Sequence, residues 1–218
     1  MTNLKINIVS DVMCPWCIIG YKNLESALGD IKNEITADIS WHAFELNPDM
    51  PIEGQGIKEH HQEKYGLTEE QVQENNQQVI DMGKESGFHF NFDDKHIMIN
   101  SFNCHRLLTW AKIYNKQTEL KLAMFRAHFS DGVFLNQETS LLNVVHSVGL
   151  DREEAKTRLS NDDFAKEVRK EQSRMHQLGI SSVPTFIINN QYAITGGQSK
   201  DAFKQALTQV SQEITKGA

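Results

Sequence analysis

Two cysteines separated by two residues, Cys14 and Cys17, are the side chains best suited to do chemistry in this chain. Pro15 and Trp16 stand between them, and an apolar, strand-like run at 6–12 precedes them. The residues that follow are compatible with a helix, which would place Cys14 at its first turn. Free backbone N–H groups and the positive end of the helix dipole favour a thiolate there. The spacing also allows a short disulfide between the two sulfur atoms, so the pair is suited to redox cycling.

The position of each thiol predicts its role. Cys14 lies at the helix start and is expected to be the more exposed, so we predict that it is the nucleophile. Cys17 lies one turn further in and is predicted to be the resolving thiol, which displaces whatever Cys14 has captured. Pro15 has no N–H to lose at the first helical position and rigidifies the short ring between the sulfurs. We expect Trp16 to lie partly exposed beside them.

Zinc binding is an alternative use of the two thiols. A structural zinc site needs four ligands, and the only other cysteine in the sequence is Cys104, which is followed by His105. The sequence contains no second paired motif, so we predict no metal. Cys104 itself lies in an apolar segment with helical spacing and is predicted to be a buried, inert thiol.

Size and charge narrow the class of protein. A chain of 218 residues can form one core, or one core with an inserted subdomain. The formal net charge of −7, without a block of lysine and arginine, argues against nucleic acid or an anionic membrane surface as a partner. No stretch approaches the roughly 20 apolar residues of a membrane span, and the first residues lack the apolar segment of a signal peptide. We therefore expect a cytoplasmic protein, in which thiols are mostly kept reduced.

The predicted elements divide the chain into two parts. A strand–helix–strand pattern over 5–44 indicates a βαβ unit with parallel strands. A long, almost wholly helical stretch follows, in which Thr68 to Gln71 is typical of a capping box at a helix start and 87–97 is predicted to be a connection. Strands then return as a hairpin with a candidate two-residue turn at Asn189-Asn190, before a last amphipathic helix. We predict an α/β fold with the order βαβ, helical block, ββα. A discontinuous domain would comprise 1–52 and 180–218, with an inserted helical subdomain at 53–179.

A second motif, Val183-Pro184-Thr185-Phe186, opens the late hairpin. A proline at the start of a strand cannot donate to the sheet, and a cis bond before Pro184 is one explanation for its presence. Together with a C-x-x-C after the first strand, this pattern resembles the thioredoxin superfamily. The resemblance implies a cis Pro184 and places Val183 and Pro184 beside the nucleophilic sulfur. It also implies that Val183 aligns the backbone of a substrate.

Further segments narrow the resemblance to the DsbA family, in its cytosolic FrnE-like branch. They are SDVMCPWC at 10–17, FELNP at 44–48, the stretch 100–108, GISSVPTF at 179–186 and YAITGGQ at 192–198. The resemblance implies a thioredoxin fold with a large helical insertion and dithiol–disulfide oxidoreductase activity on protein or small-molecule thiols and disulfides. No cofactor is expected beyond the redox-active disulfide itself. Glutathione is left open as a co-substrate, and monomer or homodimer is left open as the assembly.

Two other interpretations of the chain stay open, one enzymatic and one not. The 2-hydroxychromene-2-carboxylate isomerases and kappa-class glutathione transferases resemble this branch in fold, and they typically carry serine at the catalytic position. The chain keeps both cysteines, which favours redox chemistry, but a glutathione-dependent isomerase or transferase using Cys14 as a binding thiolate is the alternative. The second alternative is a metal-binding or thiol-based interaction module without enzymatic activity.

Asn100 and His105 are candidates for the cleft beside the thiols. Both lie at the start of a predicted helix that would belong to the inserted part of the chain. The competing interpretation is a helix-capping asparagine and a histidine satisfied by its own helix.

Overall fold

The structure is a computed structural model that describes residues 1–93 and 95–217. Its strands are β1 Thr2–Ser10, β2 Ile35–Ala43, β3 Gln55–Gly56, β4 Ile97–Met98, β5 Thr185–Ile188 and β6 Tyr192–Thr195. Its α-helices are α1 Pro15–Asp30, α2 Ile57–Tyr65, α3 Glu69–Ser86, α4 Phe102–Ala111, α5 Gln117–Phe129, α6 Glu138–Ser147, α7 Arg152–Ser160, α8 Ala165–Gln177 and α9 Lys200–Gly217. None of the helices within these ranges has the length and apolar character needed to cross a membrane.

The main sheet has four strands in the order β2-β1-β5-β6. β1 and β2 are parallel, with Thr2 opposite Ile35 and Ser10 opposite Ala43, and α1 connects them. β5 runs antiparallel to β1, and β6 antiparallel to β5. The predicted βαβ unit, the late hairpin and the α/β class are therefore confirmed. The end of β1 leads directly into the two cysteines, so the central strand of the sheet positions the dithiol.

One face of the sheet carries the main hydrophobic core. Leu4, Ile6 and Ile8 alternate along β1 and are at most 1% exposed, because successive side chains of a strand point to opposite faces. They belong to the same buried cluster as Phe186 of β5 and Phe203 of α9. The two phenylalanine rings meet edge to face with centroids 4.8 Å apart. This packing fixes α1 and α9 against the sheet.

The helical part of the chain shares this core. Phe125 of α5 lies in the same cluster as Tyr21 of α1, and its ring centroid is 6.2 Å from that of Trp41 in β2. The Gln117 side chain reinforces the junction, because it accepts from the Trp41 N–H and donates to the Trp41 carbonyl, both at 3.0 Å. α5 is thus bonded to the edge of the sheet. The division into a domain at 1–52 and 180–218 and a subdomain at 53–179 stays a prediction.

Two local features differ from the sequence prediction. The predicted two-residue turn at Asn189-Asn190 is closed by the Gln191 N–H, which donates to the Ile188 carbonyl at 3.1 Å, but Ile188 pairs with Tyr192, so three residues connect the paired strands. Asn189 and Asn190 both have positive φ, at 50° and 58°, a conformation that asparagine tolerates. The connection expected between α3 and α4 contains the short strand β4, which pairs with β3. By contrast, the capping box predicted at Thr68 is present at the start of α3.

Gly83 in α3 allows the ring of Phe90 to pack close to the helix backbone. A Cβ atom at Gly83 would lie 2.3 Å from a ring carbon of Phe90, which is 3% exposed and has little room to move. We expect Gly83→Ala to lower the free energy of unfolding by about 1–3 kcal/mol through overpacking. Gly29 of α1 is the control, since a Cβ there meets nothing within 4 Å. Gly29→Ala should raise the free energy of unfolding by about 0.5–1 kcal/mol. Denaturant unfolding measures both changes, and a change in the same direction for the two variants would contradict the prediction.

Candidate active site

The two cysteines lie at the first turn of α1. Cys14 is the N-cap residue in an extended conformation, and Pro15 occupies the first helical position, where its missing N–H costs nothing. The Cys17 N–H donates to the Cys14 carbonyl at 3.1 Å, and the Cys14 N–H donates to the Asp11 carbonyl at 3.2 Å. The predicted placement of Cys14 at the helix start is therefore present in the structure.

Both thiols are reduced and nearly enclosed. Cys14 is 3% exposed and Cys17 is fully buried. The Cys14 thiol donates to the Val183 carbonyl at 3.6 Å, and the Val183–Pro184 peptide bond is cis. The loop before β5 therefore lies against the first sulfur atom, as the resemblance implies.

The two thiols are hydrogen-bond partners and ionise as a pair. Burial opposes ionisation of Cys17, but the hydrogen bond with Cys14 and the positive charge of Lys121 outweigh it and lower the pKa of Cys17. The same hydrogen bond, together with burial, raises the pKa of Cys14 well above its usual range. The pair therefore loses its first proton more readily than an isolated thiol and its second proton less readily.

Two features of the structure act in opposite senses on the position of the negative charge within the pair, which the sequence analysis predicts on Cys14. Lys121 favours the anion on Cys17, whereas the helix N-terminus favours it on Cys14. A single proton shift along the hydrogen bond exchanges the two forms. Of the two sulfur-bearing residues, Cys14 lines a cavity and Cys17 does not, so access is available at Cys14.

Asp11 lies buried in the turn that leads from β1 into α1. Its two oxygens accept from the backbone N–H groups of Met13, at 3.2 Å, and Leu46, at 2.7 Å. The His105 Nε2 lies 3.5 Å from the first of these oxygens. Burial raises the pKa of Asp11, but the neighbouring His105 ring and the Leu46 N–H outweigh it and lower the pKa. Asp11 is therefore an ionised carboxylate that fixes the turn before the nucleophile.

Lys121 of α5 supplies a positive charge under the dithiol. The residue is 1% exposed, and its amino group lies 5.0 Å from the ring centroid of Phe125 and 5.5 Å from that of Trp41. Burial lowers the pKa of Lys121, and the negative charges of Cys17 and Asp11 counteract this shift. A buried ammonium group needs such charges nearby. The lysine, the carboxylate and the thiol pair therefore form one electrostatic unit.

A cavity of about 530 Å³ opens beside Cys14, between the start of α1 and the pair α2–α3. Its walls are mostly apolar and aromatic. Trp16, Tyr65, Phe92 and Phe129 supply the aromatic surface apart from histidine rings. The cavity gives a small molecule a path to the Cys14 side chain.

The predicted site residues fall into two groups. Pro15, Trp16 and Val183 line the cavity with Cys14, and Pro184 is buried next to Val183. The two cleft candidates lie elsewhere. The Asn100 side chain donates to the Met50 carbonyl and accepts from the Phe102 N–H, and His105 is 2% exposed against Asp11. Neither lines the cavity, and any contribution of theirs to activity stays a prediction.

Sequence reasoning missed Lys121 and the histidines of the cavity. A signal for Lys121 was present, because it is the one charged residue in the run Leu120-Lys121-Leu122-Ala123-Met124. A charge inside an apolar helical stretch indicates a buried partner. No comparable signal marked the histidines, whose proximity to Cys14 depends on how α2 folds over α1. Cys104 is fully buried, as predicted, and burial raises the pKa of its thiol to about 12.

A metal centre finds little support in the ligand geometry. Within the described ranges, no group of three or more histidine, cysteine, aspartate or glutamate side chains is arranged to hold a metal ion. Cys104 and His105 point into the protein from α4, where both are buried.

A C-x-x-C at the start of the helix that follows the central strand, with a cis-proline loop against the first sulfur, defines a thioredoxin-fold site. The chain belongs to the DSBA-like thioredoxin domain family, whose model matches residues 5–208. The predicted family and the thioredoxin fold with added helices are thus confirmed.

Three solved structures are similar to the chain. The probable DsbA oxidoreductase SCO1869 from Streptomyces coelicolor shares 30% identity, with 94% of this chain and 89% of that chain covered and a TM-score of 0.88. A 2-hydroxychromene-2-carboxylate isomerase shares 12% identity over 98% and 99% of the chains, with a TM-score of 0.70. The cytosolic disulfide reductase DsbM from Pseudomonas aeruginosa, solved with GSH, shares 17% identity, with 94% of this chain and 98% of that chain covered and a TM-score of 0.65. The latter two likenesses concern the fold alone.

Proposed function

We propose that the chain is a dithiol–disulfide oxidoreductase that works through Cys14 and Cys17. The observation that carries the proposal is the contact between two reduced thiols at the start of α1, one of which lines a cavity. The neighbouring Cys14 thiol and the positive charge of the buried Lys121 lower the pKa of Cys17. These features supply the anion that disulfide exchange requires.

In the reducing direction, the proton of Cys14 passes to Cys17 and the Cys14 thiolate attacks a substrate disulfide. A mixed disulfide forms and one substrate thiolate leaves, taking the proton from Cys17. The Cys17 thiolate then attacks the Cys14 sulfur, closes the Cys14–Cys17 disulfide and releases the second substrate thiolate. Two electrons move from the protein to the substrate. Val183 aligns the substrate through its backbone, and Pro184 shapes the surface that faces the sulfur.

In the oxidising direction, the same atoms react in reverse. A substrate thiolate attacks Cys14 of the protein disulfide, and a second substrate thiol releases the mixed disulfide. The relative stability of the reduced and oxidised protein sets the balance, and the difference between a strong oxidant and a reductant is only a few kcal/mol. Lys121 shifts this balance toward the reduced form, because it stabilises a thiolate and gains nothing from a neutral disulfide.

We further propose a FrnE-like, cytoplasmic protein that exchanges thiols with proteins or small molecules. The resemblance of the segments around 10–17 and 179–186 supports the branch, and the cytosolic DsbM shares the fold. The DsbM structure was solved with GSH, which makes glutathione a candidate co-substrate for this chain.

The proposal predicts that Cys17→Ser traps the reaction half-way. Without the resolving thiol, the Cys14 thiolate should attack a disulfide substrate such as insulin or glutathione disulfide, release one substrate thiolate and hold the other half in a stable mixed disulfide. Mass spectrometry should find the adduct on Cys14, and dithiothreitol should remove it. The matched control is Cys104→Ala, which keeps both active thiols and should accumulate no adduct. An adduct that resolves as fast in Cys17→Ser as in the unmodified protein would contradict the assigned role of Cys17.

A glutathione-dependent isomerase or transferase is the second candidate. The cavity beside Cys14 favours it, because such an enzyme must hold an organic substrate next to one thiolate. This activity needs no resolving thiol. Isomerase or transferase turnover that survives Cys17→Ser would support this candidate over the oxidoreductase.

A further inference from the structure

We propose that the cavity beside Cys14 binds uncharged aromatic thiols and disulfides in preference to glutathione and other charged ones. This inference rests on the proposed function and names the substrate class of the same site. It follows from the volume of the cavity, from its aromatic lining and from the absence of acidic and basic side chains among its described lining residues.

The walls of the cavity suit flat aromatic groups. Trp16 stands beside the nucleophile at one side, and Phe92 and Phe129 pack against each other with ring centroids 6.1 Å apart. Tyr65 lies at the rim and is 55% exposed, an unusual exposure for a large aromatic side chain. Aromatic rings stack on such surfaces with a gain beyond simple burial.

The described lining carries no aspartate, glutamate, lysine or arginine. Its only titratable groups besides Cys14 and Tyr65 are His60, His61 and His96. Burial lowers the pKa of each of these histidines, so all three are neutral at pH 7.

Lys64 is a cation beside the cavity, since its charge acts on His60 and His61 and its amino group lies 5.4 Å from the ring centroid of Tyr65. Its amino group already donates to the Leu46 carbonyl and to the side-chain oxygen of Asn47. The described lining therefore contains no cation of its own, and the amino group beside it is already held by two acceptors.

These walls discriminate between ligands by charge. Glutathione carries two carboxylates and an ammonium group, which would lose water on entering the cavity without gaining an ionic partner. An uncharged aryl disulfide meets no such cost and gains aromatic contacts instead. The cavity volume of about 530 Å³ lies within the range of sites that bind small molecules.

The reaction in this site uses only the proposed chemistry. The Cys14 thiolate attacks one sulfur of the aryl disulfide, a mixed disulfide forms and one aryl thiolate leaves. The Cys17 thiolate then breaks the mixed disulfide, and the second aryl thiolate leaves. The protein dithiol loses two electrons, and one disulfide becomes two aryl thiols. The protein disulfide accepts electrons from two aryl thiols by the reverse steps.

The test compares two aryl disulfides that differ by one carboxylate on each ring. The probes are 2,2′-dithiodipyridine, which is uncharged, and 6,6′-dithiodinicotinic acid, its dicarboxylate. Each is mixed with the reduced protein, and absorbance of the released thione gives the rate. The rate of each probe with the protein is divided by its rate with dithiothreitol, which removes the intrinsic reactivity of the probe. Salt at about 1 M shortens the Debye length to about 3 Å, so the net charge of the protein is screened. We expect the normalised rate to be at least roughly tenfold higher for the uncharged probe.

A pair of variants on α3 tests whether the cavity is the cause. Asn75 and Gln73 are both exposed on this helix, but only Asn75 lines the cavity. Asn75→Arg adds a cation to the wall and should reduce the preference for the uncharged probe by about two- to fivefold. Gln73→Arg changes the net charge equally and should leave the preference unchanged.

The outcomes separate this inference from the proposed function. Equal normalised rates for the two probes, or equal effects of the two arginine variants, would overturn the inference and leave the oxidoreductase proposal standing. Failure of the reduced protein to react with either probe, while dithiothreitol reacts with both, would overturn the two together. A faster normalised rate with the dicarboxylate would show that an ionic partner reaches the site and would also overturn the inference.

Discussion

Replacing Cys14 with serine is expected to lower the rate of thiol–disulfide exchange by roughly 1,000-fold or more. A serine hydroxyl is not ionised near neutral pH and cannot form a mixed disulfide. Cys17 cannot substitute for the missing nucleophile because it is fully buried. Turbidimetric reduction of insulin and release of thione from 2,2′-dithiodipyridine both measure the loss.

Cys14→Ser is also expected to fold normally. The residue is the N-cap of α1 and its thiol makes no capping hydrogen bond, whereas serine is one of the preferred N-cap residues. Circular dichroism and thermal unfolding should therefore match or exceed the unmodified protein. Cys104→Ala is the control for loss of a thiol as such, and it should retain activity. Substantial exchange by a folded Cys14→Ser variant would show that the nucleophile is another group.

Replacing Lys121 with methionine is expected to raise the pKa at which the dithiol loses its first proton. Methionine has similar length and no charge, so the variant removes the cation that stabilises the thiolate while keeping most of the packing. We expect the rate of alkylation by iodoacetamide at pH 7 to fall by about tenfold. The loss of the cation also makes the disulfide relatively more stable, so the variant should be a stronger reductant against glutathione. Lys116→Met, at a partly exposed position before α5, should change neither quantity.

The same pKa shifts predict how stability depends on pH. The pKa of Cys17 is lower in the folded reduced protein than in the unfolded chain, where it has the ordinary thiol value of 9.0. The folded protein therefore gains stability as the pH rises from the lowered pKa to 9.0. The raised pKa of Cys14 acts in the opposite sense above 9.0, because unfolding then releases its proton. The stability of the reduced form relative to the oxidised form should therefore peak near pH 9. In Lys121→Met this peak should flatten, and an unchanged peak would show that the lysine does not act on the thiols.

Local patterns in the sequence predicted most of the elements that position the site. Pro15 after Cys14 marks the start of α1, and the capping box at Thr68 marks the start of α3, because both signals act within a few residues. The parallel pairing of β1 with β2 followed from a helix between two apolar runs. Asn189 and Asn190 form the predicted two-residue turn, with positive φ at both residues and the Gln191 N–H donating to the Ile188 carbonyl, but the strand pairing resumes one residue later, at Tyr192.

The surroundings of the thiols could not be predicted in the same way. Lys121 and Cys17 are about a hundred positions apart in the chain, and their interaction depends on how α5 packs against β2. The cavity likewise arises where α2 and α3 cover the start of α1. His105 was proposed as a cleft residue from its place at the start of a helix, but that helix turns it toward Asp11. Contacts of this kind are set by tertiary packing and leave little periodic trace in the sequence.

Redox titration of the unmodified protein against glutathione, with alkylation and mass mapping as the readout, tests the central claim most directly. The account predicts one two-electron transition in which Cys14 and Cys17 become protected together as an intramolecular disulfide, while Cys104 stays reduced throughout. Absence of a Cys14–Cys17 disulfide at any glutathione ratio, or pairing of either thiol with Cys104, would contradict it.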